Sequence, residues 1–355
     1  MSGLKLQSLR VQNFRAFRDL KVDDIGRVNL VVGENNVGKT TLLEAIHLYA
    51  SGGQFGIADK ILQDRKLKNF DRSRGIERSN YGVEIPAHRH LIHGHPSLES
   101  VSKDDEVLTD VPAIRIFSEP GNEDFTLRLE LVPNRNMVDS SIEFGGKPGI
   151  SSTVFGDKVV SIFLEACGKR ERDVDRIWDK IELTPLEKYV LRALRIVEPE
   201  LEEIRLKPFR NSASSAEGER TERIPVARLE RSSEPEPLES LGTGMNRLFN
   251  LSLLFTEAKD GFFLVDEIEN GLHYSALTKM WELIFEMAND LNAQVFATTH
   301  SFDCIQAFQK AADDHPEEGM LYSLRRSAKE KDKIVAVPYD EEELKSVARS
   351  HIEVR

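Results

Sequence analysis

The sequence predicts an α/β fold built on a mainly parallel sheet. An apolar run at residues 28–32 leads into a glycine-rich loop at 33–40, and a helical pattern follows at 41–48. Two further apolar runs, at 262–265 and 294–298, alternate with helical patterns. Short apolar runs of this kind are typical of strands buried on both faces, and strands that alternate with helices form parallel sheets.

The loop at residues 33–40 has the complete pattern G-x-x-x-x-G-K-T. Between a strand and a helix, such a loop surrounds a β-phosphate with backbone N–H groups, and the helix N-terminus adds partial positive charge. Lys39 is expected to reach the β- and γ-phosphates, and Thr40 to ligate Mg²⁺. A chance glycine-rich turn is the alternative, but both flanks disfavour it. The predicted ligands are a nucleotide with β- and γ-phosphates and Mg²⁺, bound by Gly33, Asn35, Asn36, Gly38, Lys39, Thr40 and Thr41.

Composition narrows the class of protein. The chain has 355 residues, a formal net charge of −12 and two cysteines, Cys167 and Cys304. The cysteine count excludes a disulfide scaffold and predicts a reducing, cytoplasmic location. No apolar stretch is long enough to cross a membrane, and no signal-peptide pattern opens the chain. The net charge disfavours a protein coated by nucleic acid on all faces.

Two local clusters leave alternatives open. Residues 60–89 contain eight Lys or Arg and four Asp or Glu, which fits either a solvated surface or a contact with DNA or a partner. Residues 88–95 contain four histidines, which fit either an exposed loop or a Zn²⁺ site.

The remaining patterns predict a nucleotide core split along the chain, with parts at 1–53 and 238–355 and an insertion at 54–237. Residues 4–14 and 16–22 predict a hairpin. No assignment is made for most of 54–110, and 140–155 predicts a loop. A helical pattern covers 157–197. Further strands are predicted at 113–117, 125–131, 201–207, 223–229, 320–325 and 333–337.

Two carboxylates follow the apolar run at 262–265. Asp266 is expected at the Mg²⁺ shell, and Glu267 is placed to polarise the water that attacks a γ-phosphate. The run at 294–298 leads to His300, which is expected on the neighbouring strand within reach of the γ-phosphate or that water. A structural histidine at a strand end is the alternative.

Residues 240–247 open an amphipathic helix with the small residues Gly242 and Gly244. Small residues at a helix N-terminus suit an anion. Because one nucleotide needs only one phosphate loop, a second such helix start suggests a site shared between two subunits. An ordinary helix cap is the alternative.

The order of these motifs resembles the ABC-type ATPase heads of the SMC and RecF proteins. Residues 266–273 and 297–301 resemble more closely the ATPase domains of the OLD (overcoming-lysogenization-defect) family, as do residues 13–17 and 191–199. The resemblance implies an ABC-type P-loop ATPase head with an N-terminal antiparallel β-subdomain and a helical insertion. The parts at 1–53 and 238–355 would then be its two ATPase lobes.

The resemblance also implies a head-to-tail ATP sandwich dimer, in which Gly242 and Gly244 of one subunit face ATP held by Lys39 of the other. By the same resemblance, Arg15 approaches the nucleotide. OLD nucleases carry a Toprim domain with a D-x-D pair, and no such pair follows His300. The chain is therefore expected to lack nuclease activity of its own and to act with a separate Toprim-type or other effector.

We expect an ATP-hydrolysing switch that controls an effector nuclease in bacterial anti-phage defence, as a homodimer or higher homo-oligomer without a membrane partner. Two alternatives stay open. One is a RecF-like repair ATPase that clamps DNA, and the other is a nucleotide-dependent scaffold that hydrolyses ATP weakly.

Overall fold

The computed structural model describes residues 4–52, 55–64, 76–78, 84–86, 90–94, 114–118, 125–132, 137–144, 147–149, 159–166, 171–209, 222–232, 234–315, 318–330 and 333–339. The strands, in chain order, are β1 (Leu9–Phe14), β2 (Phe17–Val22), β3 (Val28–Gly33), β4 (Ile76–Arg78), β5 (Glu84–Pro86), β6 (Ile114–Phe117), β7 (Phe125–Val132), β8 (Met137–Phe144), β9 (Lys147–Gly149), β10 (Ser161–Leu164), β11 (Leu201–Phe209), β12 (Glu222–Leu229), β13 (Glu236–Pro237), β14 (Phe262–Val265), β15 (Gln294–Thr298), β16 (Gly319–Arg326) and β17 (Ile334–Tyr339). The helices are α1 (Lys39–Ala50), α2 (Phe55–Asp64), α3 (Glu171–Ile181), α4 (Glu187–Arg195), α5 (Thr243–Thr256), α6 (Tyr274–Asp290) and α7 (Phe302–Ala312).

A central six-stranded sheet has the order β10-β14-β15-β3-β16-β17. Its first five strands are parallel, and β17 runs antiparallel to β16. The carboxyl ends of parallel strands meet at one edge of the sheet, and α/β sheets bind ligands at that edge. The motifs at residues 33–40, 266–267 and 298–300 lie at the carboxyl ends of β3, β14 and β15. Because these three strands are neighbours, the three motifs lie close together at that edge.

Side chains of the central sheet alternate between two cores. On β14, Phe263 and Val265 pack into a core shared with α4, α5, α6 and α7. Phe262 and Leu264 pack into a second core shared with α1, β1 and β2. Since both faces are covered, β14 and β15 are buried along their whole length. This two-sided burial explains why they form continuous apolar runs in the sequence.

The N-terminal subdomain is an antiparallel sheet with the order β2-β1-β6-β7-β8-β9. The hairpin β1–β2 begins at the pair Phe14 and Phe17, and both rings are fully buried. Apolar residues of this hairpin share their core with α1. The predicted α/β class with an N-terminal antiparallel β-subdomain is confirmed.

The helical prediction for residues 157–197 is wrong at its start. Residues 161–164 form β10, which pairs in parallel with β14 from Ser161 opposite Phe262 to Leu164 opposite Val265. In the described part of that stretch, the helices are α3 and α4. A short apolar run does not distinguish a strand from a helix, and the pairing with β14 decides the matter here.

The loop prediction for residues 140–155 is also wrong in part. Strand β8 continues to Phe144, and β9 follows it at 147–149. The backbone pairing of β8 with β7 along all eight residues overrides the glycine- and serine-rich composition. Within 54–110, most of which the sequence patterns do not assign, the described residues form α2 and the short hairpin β4–β5.

Gly261, which precedes β14, gives a test of how closely β10 and β14 pack. A Cβ at this position would lie 2.2 Å from the Val160 carbonyl oxygen, whereas a Cβ at Gly56 on α2 would meet nothing within 4 Å. We expect Gly261→Ala to lower the free energy of unfolding by about 2–4 kcal/mol, because backbone must move to relieve the clash. Gly56→Ala, the matched control, should be neutral or stabilising by up to about 1 kcal/mol. Urea unfolding measures the stability of both variants. Equal stabilities would contradict the close packing of β10 and β14.

Candidate nucleotide-binding site

The phosphate loop (residues 33–40) connects β3 to α1 through backbone conformations that favour glycine. The φ angles are +143° at Gly33 and +96° at Gly38. A Cβ at Gly33 would lie 2.5 Å from the Leu324 carbonyl oxygen, and one at Gly38 would lie 2.8 Å from the Phe17 ring. Both glycines are therefore required by backbone conformation and by close neighbours.

The first turn of α1 has no side-chain cap at Gly38. Its N–H groups are therefore available to an anion, and the helix dipole adds partial positive charge at the same place. Lys39 Nζ donates to the carbonyl oxygens of Gly33 at 2.7 Å and Glu34 at 3.0 Å. Burial lowers the pKa of Lys39, and the charges of Asp266 and Glu267 oppose that shift.

Asp266 lies at the end of β14 between two threonines that hold its two oxygens. Thr40 Oγ1 donates to Oδ2 at 2.9 Å, and Thr298 Oγ1 donates to Oδ1 at 2.6 Å. The Glu267 N–H donates to Thr298 Oγ1 at 2.9 Å. This chain of hydrogen bonds joins the phosphate loop, β14 and β15. Thr298 was not anticipated from the sequence, although its place at the end of a buried strand was a usable signal.

Glu267 and His300 lie close together, as expected for neighbouring strand ends. The distance from His300 Nδ1 to Glu267 Oε1 is 3.8 Å, and both side chains are open to solvent. Glu267 has a φ of +46°, which is uncommon for a non-glycine residue. Asn270 Nδ2 donates to Glu267 Oε2 at 2.7 Å and so orients the carboxylate.

Two cavities flank the phosphate loop. One, of about 240 Å³, is lined by His47, Lys60, several apolar side chains and four oxygen-bearing side chains, which belong to α1 and to the segments after β10 and β14. They are Thr40, Glu44, Glu165 and Asp266. Hydroxyl and carboxylate oxygens are the protein ligands that Mg²⁺ prefers, and Mg²⁺ takes most of its other ligands from water and phosphate. The donor set of Thr40 and Asp266 therefore fits Mg²⁺.

The second cavity, of about 720 Å³, lies beside Asn36, Gly38 and Thr41. Arg15, Arg18 and Arg326 also line it, so its wall is basic. Arg15 Nη1 lies 3.3 Å from Glu44 Oε2 on α1. The structure thus brings Arg15 to the edge of the phosphate loop.

The start of α5 lies apart from these cavities. Neither Gly242 nor Gly244 lines either of them. Gly242 is exposed, with a φ of +105° and no side-chain cap. Gly244 packs against the turn after β14, where an added Cβ would lie 3.0 Å from the Gly271 carbonyl oxygen. The structure therefore does not bring Gly242 and Gly244 into the same chain's phosphate loop.

Arg247 on α5 was not singled out in the sequence. Its side chain is buried, with 7% exposed. Its guanidinium donates to the carbonyl oxygens of Glu165 at 3.1 Å, Asp266 at 3.0 Å and Glu267 at 2.9 Å. Arg247 therefore connects α5 to the backbone of both acidic residues.

The histidine cluster at 88–95 lies partly outside the described residues. His93 Nδ1 is 2.8 Å from the Arg15 carbonyl oxygen. Across the described ranges, no group of His, Cys, Asp and Glu is arranged to hold a metal ion by itself. Most of the basic segment at 60–89 also falls outside the described residues. In the portion of the chain that the structure covers, no helix is long and apolar enough to cross a bilayer.

A family model described as "AAA ATPase domain" matches residues 4–182 and 151–305. The chain belongs to this AAA ATPase domain family. The ATPase domain is 21% identical to an "ATP/GTP phosphatase" of Helicobacter pylori, over 90% of this chain and 92% of the relative. It is 42% identical to the "DNA replication and repair protein RecF" of Clostridioides difficile over 68 residues, which are 19% of this chain and 17% of RecF.

Among solved structures, this ATPase domain resembles an SMC head domain from Thermotoga maritima. The TM-score is 0.51 at 17% identity, and the match covers 95% of this chain and 100% of the SMC head. At this identity the match shows the fold alone. The predicted ABC-type ATPase head is therefore confirmed as a fold.

Proposed function

We propose that this ATPase domain hydrolyses ATP to ADP and phosphate with Mg²⁺ and works as a nucleotide-dependent switch. The observation that supports this most is the hydrogen-bonded chain Thr40–Asp266–Thr298–Glu267. It connects the carboxylate proposed to hold Mg²⁺ to the backbone of the residue proposed to activate water, across three neighbouring strands.

In this proposal the phosphates lie in the phosphate loop, in place of the contacts that Lys39 now makes with loop carbonyl oxygens. Backbone N–H groups and the α1 dipole would hold the anion. Lys39 would turn to the β- and γ-phosphates, and Arg15 would contact the nucleotide from the basic cavity. The proposed binding residues are Gly33, Asn35, Asn36, Gly38, Lys39, Thr40, Thr41 and Arg15.

Thr40 and Asp266 would hold Mg²⁺, which supplies charge neutralisation on the phosphate oxygens. Glu267 orients a water and takes its proton as the water oxygen bonds to the γ-phosphorus. The bond to the bridging oxygen breaks, and ADP leaves. His300 contacts the γ-phosphate or the water from the next strand.

The exposed start of α5 supports a dimer in which one subunit completes the other's site. Gly242 and Gly244 would face ATP bound by Lys39 of the partner subunit. Tyr274, at the start of α6, is 65% exposed and follows the turn that packs on Gly244. We place the two lobes of the ATPase at 1–53 and 238–355, with an insertion at 54–237.

An effector nuclease controlled in anti-phage defence is the partner we propose, on the resemblance of residues 266–273 and 297–301 to OLD-family ATPases. The local similarity to RecF supports a second candidate, a repair ATPase that closes on DNA. ATP-dependent DNA binding that weakens steeply with salt would favour the RecF-like function.

The test is phosphate release from ATP with Mg²⁺ and with EDTA. We expect hydrolysis only with Mg²⁺. Thr40→Ala should lower kcat by roughly 10- to 100-fold, because it removes a proposed Mg²⁺ ligand. Thr278→Ala on α6, outside the site, is the matched control and should behave as the wild type. Equal turnover in EDTA, or in Thr40→Ala, would contradict the proposal.

A further inference from the structure

Glu269 is a nearly buried carboxylate in the turn after β14, three residues beyond Asp266. Its side chain is 10% exposed. Oε1 accepts a hydrogen bond from the His300 N–H at 3.2 Å and lies 3.3 Å from His300 Nδ1. A single carboxylate oxygen therefore contacts both the backbone and the ring of His300.

The other carboxylate oxygen of Glu269 lowers the stability of the fold. Oε2 is buried and has no hydrogen-bond partner in the described part of the chain. Burying a polar atom without a partner lowers stability, because the atom gives up its hydrogen bonds to water. The negative charge of Glu269 also acts on its surroundings. The pKa of the Cys304 thiol is raised to about 12, mainly by burial of the thiol and next by the charge of Glu269. Stability alone does not account for a carboxylate at this place, because a shorter apolar side chain would avoid the cost.

Glu269 lies nearer to the His300 ring than Glu267 does. The Glu267 oxygen lies 3.8 Å from Nδ1, beyond hydrogen-bond distance, against 3.3 Å for Glu269. Asn270, the next residue in the turn, donates to the second oxygen of Glu267. Consecutive residues of one turn therefore contact different side chains of the proposed reaction centre.

We propose that Glu269 is a positioning residue that fixes the ring and the tautomer of His300. In this proposal Nδ1–H would donate to Glu269 Oε1, 3.3 Å away, which would leave Nε2 for the γ-phosphate or the attacking water. In a neutral imidazole the hydrogen bond made by one ring nitrogen sets the state of the other. The inference deepens the proposed function, on which it rests for the role of His300.

The first arm of the test reads the tautomer directly. Protein labelled with ¹⁵N-histidine is examined by NMR at alkaline pH, where histidine rings are neutral, and His300→Ala assigns the signal. We expect Nδ1 protonation in the wild type and in Glu269→Gln, whose amide oxygen still accepts. In Glu269→Ala we expect the Nε2–H tautomer to predominate. An unchanged tautomer in Glu269→Ala would overturn the proposal.

The second arm is a double-mutant cycle on ATP turnover. We expect Glu269→Ala to lower kcat by about 10- to 100-fold with KM within about threefold, and Glu269→Gln to recover most of the loss. The variant carrying both Glu269→Ala and His300→Ala should match His300→Ala alone, because Glu269 acts through His300. Losses that multiply in the double variant would overturn the proposal. Asp303→Asn, which alters an exposed carboxylate on α7, is the control.

Two further outcomes stay interpretable. If Glu269→Ala does not fold, Glu269→Met fills the same space without an acceptor and replaces it in both arms. If the wild type does not hydrolyse ATP, the proposed function fails, while the NMR arm still decides whether Glu269 sets the His300 tautomer.

Discussion

Glu267→Gln is expected to bind ATP with nearly unchanged affinity and to hydrolyse it about 100- to 10,000-fold more slowly than the wild type. Glutamine has the same shape and can keep the hydrogen bond from Asn270, but it cannot take a proton from water. The phosphate loop is untouched, so binding should persist. Single-turnover phosphate release and the affinity for ATP measure the two effects separately.

The same variant tests assembly. If ATP closes a sandwich of two subunits, a variant that binds but does not hydrolyse should accumulate as an ATP-dependent dimer or larger assembly in sedimentation. Glu282→Gln, an exposed carboxylate on α6, is the matched control and should turn over normally. Normal hydrolysis in Glu267→Gln would remove Glu267 from the reaction. Assembly indifferent to ATP would leave a constitutive scaffold as the better interpretation.

Arg247→Met is expected to lower the free energy of unfolding by about 2–4 kcal/mol and to reduce turnover by at least about tenfold. Methionine fills much of the same volume but donates nothing. The carbonyl oxygens of Glu165, Asp266 and Glu267 would each lose a hydrogen bond from Arg247. Because two of these carbonyls belong to the proposed reaction residues, the backbone there should shift as well.

Urea unfolding and kcat together check this second result. Arg247→Lys keeps the charge but lacks the planar fork, so we expect it to restore part of the stability and little of the turnover. Arg176→Met removes an exposed arginine that pairs with Glu257, and it should cost no more than about 1 kcal/mol. An Arg247→Met variant with the kcat and the stability of the wild type would show that α5 and β14 are not coupled through this side chain.

The buried strands were predictable because burial on both faces produces continuous apolar runs. Strands β3, β14 and β15 and the residues after them therefore appeared correctly from sequence alone. The edge strand β10 did not, since its short apolar run also fits a helix and only the pairing with β14 distinguishes the two. The helical prediction failed at residues 161–164 for this reason.

The supporting residues of the site were less visible than its motifs. Thr298 and Glu269 act on groups that are close in space but about thirty residues away in the chain. Arg247 looked like an ordinary polar residue of an amphipathic helix, because nothing nearby in the sequence indicates that three carbonyl oxygens converge on it. Such contacts depend on how β14, β15 and α5 pack, and local patterns do not encode that.

The position of β3 in the central sheet has a consequence for how the protein is made. This strand, at residues 28–33, lies between β15 and β16, at 294–298 and 319–326. During synthesis, neither edge of β3 can pair with its neighbouring strand until most of the chain has left the ribosome. Pairings between such distant segments form slowly, and strand edges that are still unpaired favour aggregation. Fragments that end before β16 should therefore be prone to aggregation. The phosphate loop should acquire its geometry late in folding.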